Sequence, residues 1–192
     1  IQYVSGTREG AWTVWYANGH LKSKTELKDG LRDGAWEAWH DSGVRTEVGQ
    51  FREGTRVGVW QVFGLNGNIT SKGNYVEGKM DGDWEEFHLT GEVSERRVYL
   101  NGEKVGKWKS LAVDGTLESS GEYAAGQQEG EWLSWHPNGQ VKLRMTYHLG
   151  KLEGASGAWR LDGEPHYSGQ YIAGARVGEW RSWHENGELR QL

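Results

Sequence analysis

The feature that most constrains this 192-residue chain is a glycine that returns every 24 residues, at Gly10, Gly34, Gly58, Gly82, Gly106, Gly130, Gly154 and Gly178. A second glycine follows nine residues later, from Gly19 to Gly187. A third series runs from Gly30 to Gly174, with Gly6 ahead of it. These columns hold 24 of the 30 glycines, and all 12 tryptophans obey the same ruler. Seven stand two residues after the first glycine (Trp12, Trp36, Trp60, Trp84, Trp108, Trp132, Trp180). Five stand three residues further on (Trp15, Trp39, Trp135, Trp159, Trp183), with Phe63, Phe87 and Leu111 in the remaining places of that column. A fixed period of this length marks a repeat architecture, in which each unit is one supersecondary element that buries its apolar side only against its neighbours. Full units begin at residues 10, 34, 58, 82, 106, 130 and 154, with partial units over 1–9 and 178–192, so 1–192 reads as a single array.

Each unit reads as a hairpin. Asn or Asp precedes the second glycine in six of eight units, at Asn18, Asn66, Asp114, Asn138, Asp162 and Asn186. Asn-Gly and Asp-Gly are the strongest short hairpin signals, because a type I′ turn needs positive φ at two successive residues. Eight such turns are predicted here. After the turn the chain alternates: Leu117, Ser119, Gly121 and Tyr123 share one face, and Glu118, Ser120 and Glu122 the other. That is a half-buried strand. Before the turn the two aromatic columns lie three residues apart, so either the strand carries a bulge, the preferred reading, or both faces hold aromatics. The strand glycines Gly49, Gly73, Gly121 and Gly169 either leave a gap for a neighbouring indole or kink the sheet. A connection such as Asp29-Gly30-Leu31-Arg32-Asp33-Gly34 leads from one hairpin into the next. Two strands per unit advance about 10 Å, giving a trough of roughly 75 to 80 Å. The expected fold is all-β: an elongated, single-sheet antiparallel array of repeated hairpins joined by an aromatic ladder.

The string Tyr-x-x-Gly-x-x-x-Gly-x-Trp-x-x-Trp/Phe-x-x-x-Gly, as from Tyr75 and Gly78 through Gly82 and Trp84 to Gly91, resembles the MORN repeat. It is most similar to the Trp-bearing variant of bacterial YwqK-family antitoxins. The resemblance implies a non-enzymatic hairpin array that binds partners, and the bacterial label implies neutralisation of a toxin encoded nearby, in the cytoplasm or cell envelope. MORN arrays are also linked to phospholipid membranes and scaffolding. Two units depart from the pattern. Ser156 replaces the first Trp and Pro165 an aliphatic residue; Val44 comes one residue early and Arg45 stands where an aliphatic belongs. These are local defects or recognition points.

Composition excludes several function classes. Cysteine is absent, which removes disulfides, thiolate metal sites and thiol nucleophiles. A net charge of −5 argues against nucleic acid as partner. No apolar run approaches the ~20 residues of a spanning helix. No signal-peptide pattern opens the chain, and a start at Ile1 reads as a cut from something longer. No metalloprotease, nucleophile-elbow, P-loop or dinucleotide signature is present in its required setting, so neither enzyme activity nor a cofactor is expected.

Several residues remain as candidates for partner binding. His40, His88, His136 and His184 recur every 48 residues. Two units of sheet, about 20 Å, separate them, so they cannot converge on a metal and no metal site is expected. With Tyr16 they occupy a column that varies from unit to unit, as recognition residues do. Arg8, Arg32, Arg56, Lys104 and Arg176 form a row in the second connecting loop, beside Asp33, Asp81, Glu129 and Glu153. A basic strip suits an acidic protein or anionic lipid; equally, loop charges keep a sheet soluble. Three functions stay open: a protein-interaction array, including an antitoxin or immunity protein; a membrane-associated scaffold; and a carbohydrate- or cell-wall-binding module. The last is similar to choline-binding repeats, although only Trp15-Tyr16 approaches their adjacent aromatics.

Overall fold

The computed structural model describes residues 2–4 and 6–190; Ile1, Ser5, Gln191 and Leu192, within the two partial end units, lie outside the described residues. Among the described residues there are 20 strands and no helix. The all-β hairpin array implied by the period is what the structure shows. Contacts divide the chain into two compact units, one of residues 1–93 and 99–102 and one of residues 94–98 and 103–192.

In the first unit, strands adjacent in sequence pair antiparallel. Thr7–Trp15 pairs with Leu21–Lys28, Arg45–Arg52 with Thr55–Phe63, and Thr55–Phe63 with Ile69–Val76. The second unit repeats the scheme: Glu103–Leu111, Leu117–Ala124, Gln127–Trp135 and Val141–His148 pair in succession, and Pro165–Ile172 pairs with Ala175–Trp183.

The turns fall where the sequence places them, but with exchanged geometries. At the Asn-Gly turn only the glycine has positive φ, as at Gly19 (85°). Gly19 N–H donates to the Tyr16 carbonyl and Tyr16 N–H to His20, a three-residue loop closed by a glycine bulge. Asn is favoured for its side chain: the Asn18 Oδ1 accepts the His20 N–H, and Asn66, Asp114, Asn138, Asp162 and Asn186 do likewise. The tight two-residue hairpins with two positive φ values are the connections between units, for example Asp29 (51°) and Gly30 (78°). Each unit boundary is therefore itself a hairpin. Successive boundary turns are laddered by backbone bonds, such as Gly30 N–H to Arg8 and Gly126 N–H to Lys104, 3.0 and 2.9 Å.

The first-column glycine makes the bulge that builds the core. In the second unit, Ser120 faces Leu133 and Glu122 faces Glu129, so Gly130, Glu131 and Trp132 all oppose Gly121. Gly130 has φ 69°, and this kink turns the Trp132 indole back over Gly121, where a Cβ would lie 2.2 Å from the ring. Trp60 over Gly49, Trp84 over Gly73 and Trp180 over Gly169 repeat the arrangement, at 2.2, 2.1 and 2.3 Å. Of the two readings of the strand glycine, the indole gap is the correct one. This bulge precedes the first aromatic column; a second register shift does fall between the two columns, at Ser134/Trp135, but the residue it leaves unpaired, Lys142, is on the returning strand. Register then runs regularly through Trp132↔Met145, Leu133↔Arg144 and Ser134↔Leu143. The aromatic columns consequently face opposite sides of the sheet, and both faces hold aromatics.

On the inner face the rings interlock edge to face. In the first unit the series is Trp36–Phe51–Trp60–Tyr75–Trp84–Tyr99, with centroids 5.1–6.0 Å apart. Trp60 is only 2% exposed. In the second unit Tyr123, Trp132 and Tyr147 continue this geometry. Such pairs add about 0.5–1.5 kcal/mol each beyond their burial.

Two irregularities follow from the same packing rule. Arg97 stands where a strand glycine would leave a gap, and Trp108 stacks instead on Trp132, 5.1 Å away at 28°. In the unit from Gly154 the missing indole is balanced by larger neighbours. Register sets Met145, in place of glycine, across from the stretch that contains Ser156. Tyr167 takes a position held by Ser or Glu in most units and lies 6.1 Å from Trp180. Ser156 is 4% exposed, so this unit is repacked.

A double-mutant cycle tests the indole gap. Trp84→Ala is expected to cost ~3–5 kcal/mol, as for other large aromatics removed from a core, and Gly73→Ala a similar amount by displacing the ring. The double variant should cost clearly less than the sum, measured by urea unfolding followed by far-ultraviolet circular dichroism. Strict additivity would show that the two positions do not share one space.

Candidate functional site

The basic row proposed for recognition is turned onto the aromatic face. The Arg8 guanidinium lies 4.8 Å from the Trp12 ring centroid, Arg32 4.4 Å from Trp36, Arg56 4.2 Å from Trp60 and Arg176 4.4 Å from Trp180. Arg32 and Arg56 also cover Phe51 and Tyr75, at 5.2 and 5.4 Å. Lys104 breaks the series and lies 5.0 Å over Tyr123. Each arginine sits four residues before its indole, with the bulge glycine between them to fold one back on the other. That spacing is visible in the sequence, yet its meaning depends on the bulge.

Glu47 ties two of these groups together. Its Oε2 accepts the Trp36 indole N–H at 2.8 Å, and its Oε1 accepts Arg56 Nη2 at 2.8 Å. Glu95 holds the corresponding place two repeats later, bonded to the Trp108 indole and to Arg97. Burial pushes the Glu95 carboxyl up, but Arg97 and the Trp108 N–H together outweigh it and hold the group below the usual carboxylate range.

The acids beside the basic row cap the boundary turns. Glu9, Asp33, Asp81, Glu129 and Glu153 each accept the backbone N–H of the positive-φ residue 20 positions ahead (Asp29, Glu53, Asn101, Leu149, Ala173), at 2.7–3.0 Å. This capping role has no signal in the sequence other than the recurrence of acids before the first glycine. Glu129 also bonds His148 Nδ1 at 2.9 Å. That bond raises the His148 pKa, and it is the main cause that lowers the Glu129 pKa, followed by the Leu149 N–H.

The variable column acts as a cross-turn staple. The Tyr16 hydroxyl donates to the Trp39 carbonyl at 2.9 Å, His136 Nε2 lies 2.9 Å from the Trp159 carbonyl, and Arg160 Nη2 donates to the Trp183 carbonyl. His40 instead lies 3.0 Å from Ser42 Oγ and 2.9 Å from Asp41. His184 sits on the same turn position and lines an open cleft with Arg160, His166 and Arg190. His88 N–H donates to Glu92 across its turn. Among the described residues no three His, Cys, Asp or Glu side chains are grouped to hold a metal.

The outer face is different in kind. Its positions are exposed or half-buried and change from one unit to the next: Thr13 faces Lys24, Glu37 faces Val48, Gln61 faces Lys72, Lys109 faces Ser120 and Leu133 faces Arg144. Arg45, in the aliphatic slot, bonds Glu37 at 2.9 Å and lies 5.9 Å from the Trp39 ring.

With this geometry in place, four stretches match the family model described as "MORN repeat variant": residues 8–29, 56–77, 128–148 and 176–192. The matches support a MORN-repeat protein. They cover less than half of the chain. No curated protein matches. Among solved structures 52 chains match. One is a variant of S. aureus TarM in complex with fondaparinux, alpha-GlcNAc-glycerol and UDP, at 11% identity and a TM-score of 0.31. That match covers 62% of this chain and 21% of the TarM chain.

Two measurements test these assignments. Arg56→Met keeps the apolar stem but removes the cation over Trp60 and the partner of Glu47; unfolding should show a loss of ~1–2 kcal/mol. His148 should titrate by NMR above the ordinary histidine value of about 6.5 and return to it in Glu129→Gln. The raised His148 pKa stabilises the turn below the unfolded value and loses effect as pH rises through the folded one. The lowered Glu129 pKa acts oppositely, losing its effect as pH falls through its folded value. The pair therefore supports the turn most between the two folded pKa values.

Proposed function

We propose that this chain is a non-enzymatic repeat scaffold for protein–protein interaction, with its exposed outer strand face as the recognition surface. The supporting observation is a division of labour. The groups that recur along the array are engaged in building it: indoles over glycines, guanidinium groups over indoles, acids on turn amides. The residues that vary lie on a sheet face open to solvent. A rigid scaffold bearing non-repeating side chains is suited to selecting one partner. On the resemblance to YwqK-family antitoxins, the partner is a toxin encoded nearby, inhibited by occlusion of its surface. The membrane alternative draws less support, because the basic row lies stacked on rings.

Co-expression with the products of neighbouring genes, followed by size-exclusion chromatography, should give a 1:1 complex. Lys24→Glu together with Lys72→Glu should weaken it roughly tenfold without altering circular dichroism. No complex with any neighbour, together with salt-sensitive flotation on anionic liposomes, would favour the membrane reading instead.

A further inference from the structure

Two positions of the staple column, Gly64 and Ala112, carry no donor side chain, and at Ala112 the socket stands open. Residue 112 is the counterpart of Tyr16, His136 and Arg160, whose side chains reach the carbonyl 23 residues ahead. Ala112 ends in a methyl group and offers Trp135 no such donor. A cavity of about 380 Å³ opens there, between the turn around Asp114 and the next hairpin. Its lining includes Ala112, Asp114, Glu118, Trp135, His136 and Lys142. The counterpart cleft two repeats later, between Arg160 and Trp183, contains the chain's own guanidinium. The Ala112 socket is thus a place where this fold elsewhere seats a planar hydrogen-bond donor.

Charge selects among the three kinds of planar donor. Beside Tyr16 stands Lys22, whose ammonium lies 5.3 Å over the phenol ring; at the matching position beside Ala112 stands Glu118. Asp114 is held ionised, its carboxyl lowered by the Thr116 hydroxyl and then the Thr116 N–H. Two carboxylates against the single ammonium of Lys142 favour a cationic guest. Indoles of the second aromatic column already accept guanidinium groups in this chain: Arg45 over Trp39 and Arg144 over Trp159, each at 5.9 Å.

We infer that the socket between Asp114 and Trp135 receives an arginine side chain of a protein partner. Its guanidinium donates to the Trp135 carbonyl, as Arg160 does to Trp183, and meets the carboxylates of Asp114 and Glu118. This rests on the protein-scaffold reading and adds to it the chemistry of one contact.

The test needs no partner. Isotope-labelled protein is titrated with N-acetyl-arginine methylamide and, separately, with the neutral citrulline analogue. The expected result is a saturable millimolar shift of the Trp135 indole N–H with arginine alone. Ala112→Tyr, which supplies the phenol that Tyr16 supplies in its own unit, should abolish the shift while leaving circular dichroism unchanged. Glu118→Gln, an exposed change that does not depend on repacking, should weaken binding roughly threefold. No saturable shift, an equal response to citrulline, or a shift that survives both variants would overturn the assignment. None of these results would touch the scaffold proposal, which stands or falls on the co-expressed complex.

Discussion

An indole lying on the bare backbone of the preceding hairpin is the interaction on which the rest of this fold depends. A two-stranded hairpin has no interior of its own, so each repeat borrows one from its neighbour. The borrowing needs two glycines with different tasks. The first, as at Gly130, adopts positive φ and bulges the strand so that Trp132 swings backward. The second, as at Gly121, offers no Cβ to the arriving ring. Tyrosines and Phe51 then wedge edge-on between successive indoles, and arginines cover the exposed ring faces. A single-layer sheet acquires a core without a second layer.

This dependence explains why the irregular repeats are irregular in pairs. Where Arg97 removes the gap, Trp108 moves onto Trp132 and its N–H finds Glu95. Where Ser156 removes the indole, Met145 and Tyr167 bring the missing volume. Substitution at one position of the packing unit is answered at another, as expected where interiors are close-packed. The unit from Gly154, which as a string looks decayed, is in the structure an alternative solution to the same packing problem.

Much of the architecture was legible as spacing. Period, hairpin turns, strand alternation and the aromatic ladder all follow from residue columns, because a repeat forces each local preference to agree with the global fold. What was not legible concerns interactions that cross between columns. The Asn-Gly signal located its turn correctly but suggested the wrong geometry, since Asn can serve either by positive φ or by its side chain. A spacing of three between the aromatic columns does not say on which strand a bulge falls: one lies at the first glycine and another on the returning strand, which leaves the two Trp rows on opposite faces. The basic row looked like a free edge because an Arg–Trp separation of four says nothing until a bulge brings the pair together. The acids beside that row carry no mark in the sequence of the turns they cap one repeat away.

The candidate site is thus defined by subtraction, and subtraction has a physical basis. In a linear array each repeated group has a fixed neighbour one period away, so a group is committed to the structure when that neighbour is present and becomes available when the neighbour is changed. Arg56 is committed by Trp60 and Glu47, and Tyr16 by Trp39. Ala112 breaks such a commitment at Trp135, and the break is accompanied by Glu118 in the place where a lysine faces Tyr16. A vacancy together with a reversal of charge is the pattern a recognition contact requires. Loss of a side chain alone would have left the local charge as it is beside Tyr16, with no preference for a cation. By the same logic the indoles of the inner face are poor candidates for binding, since removing a partner's hold on them would also release the hairpin that they join.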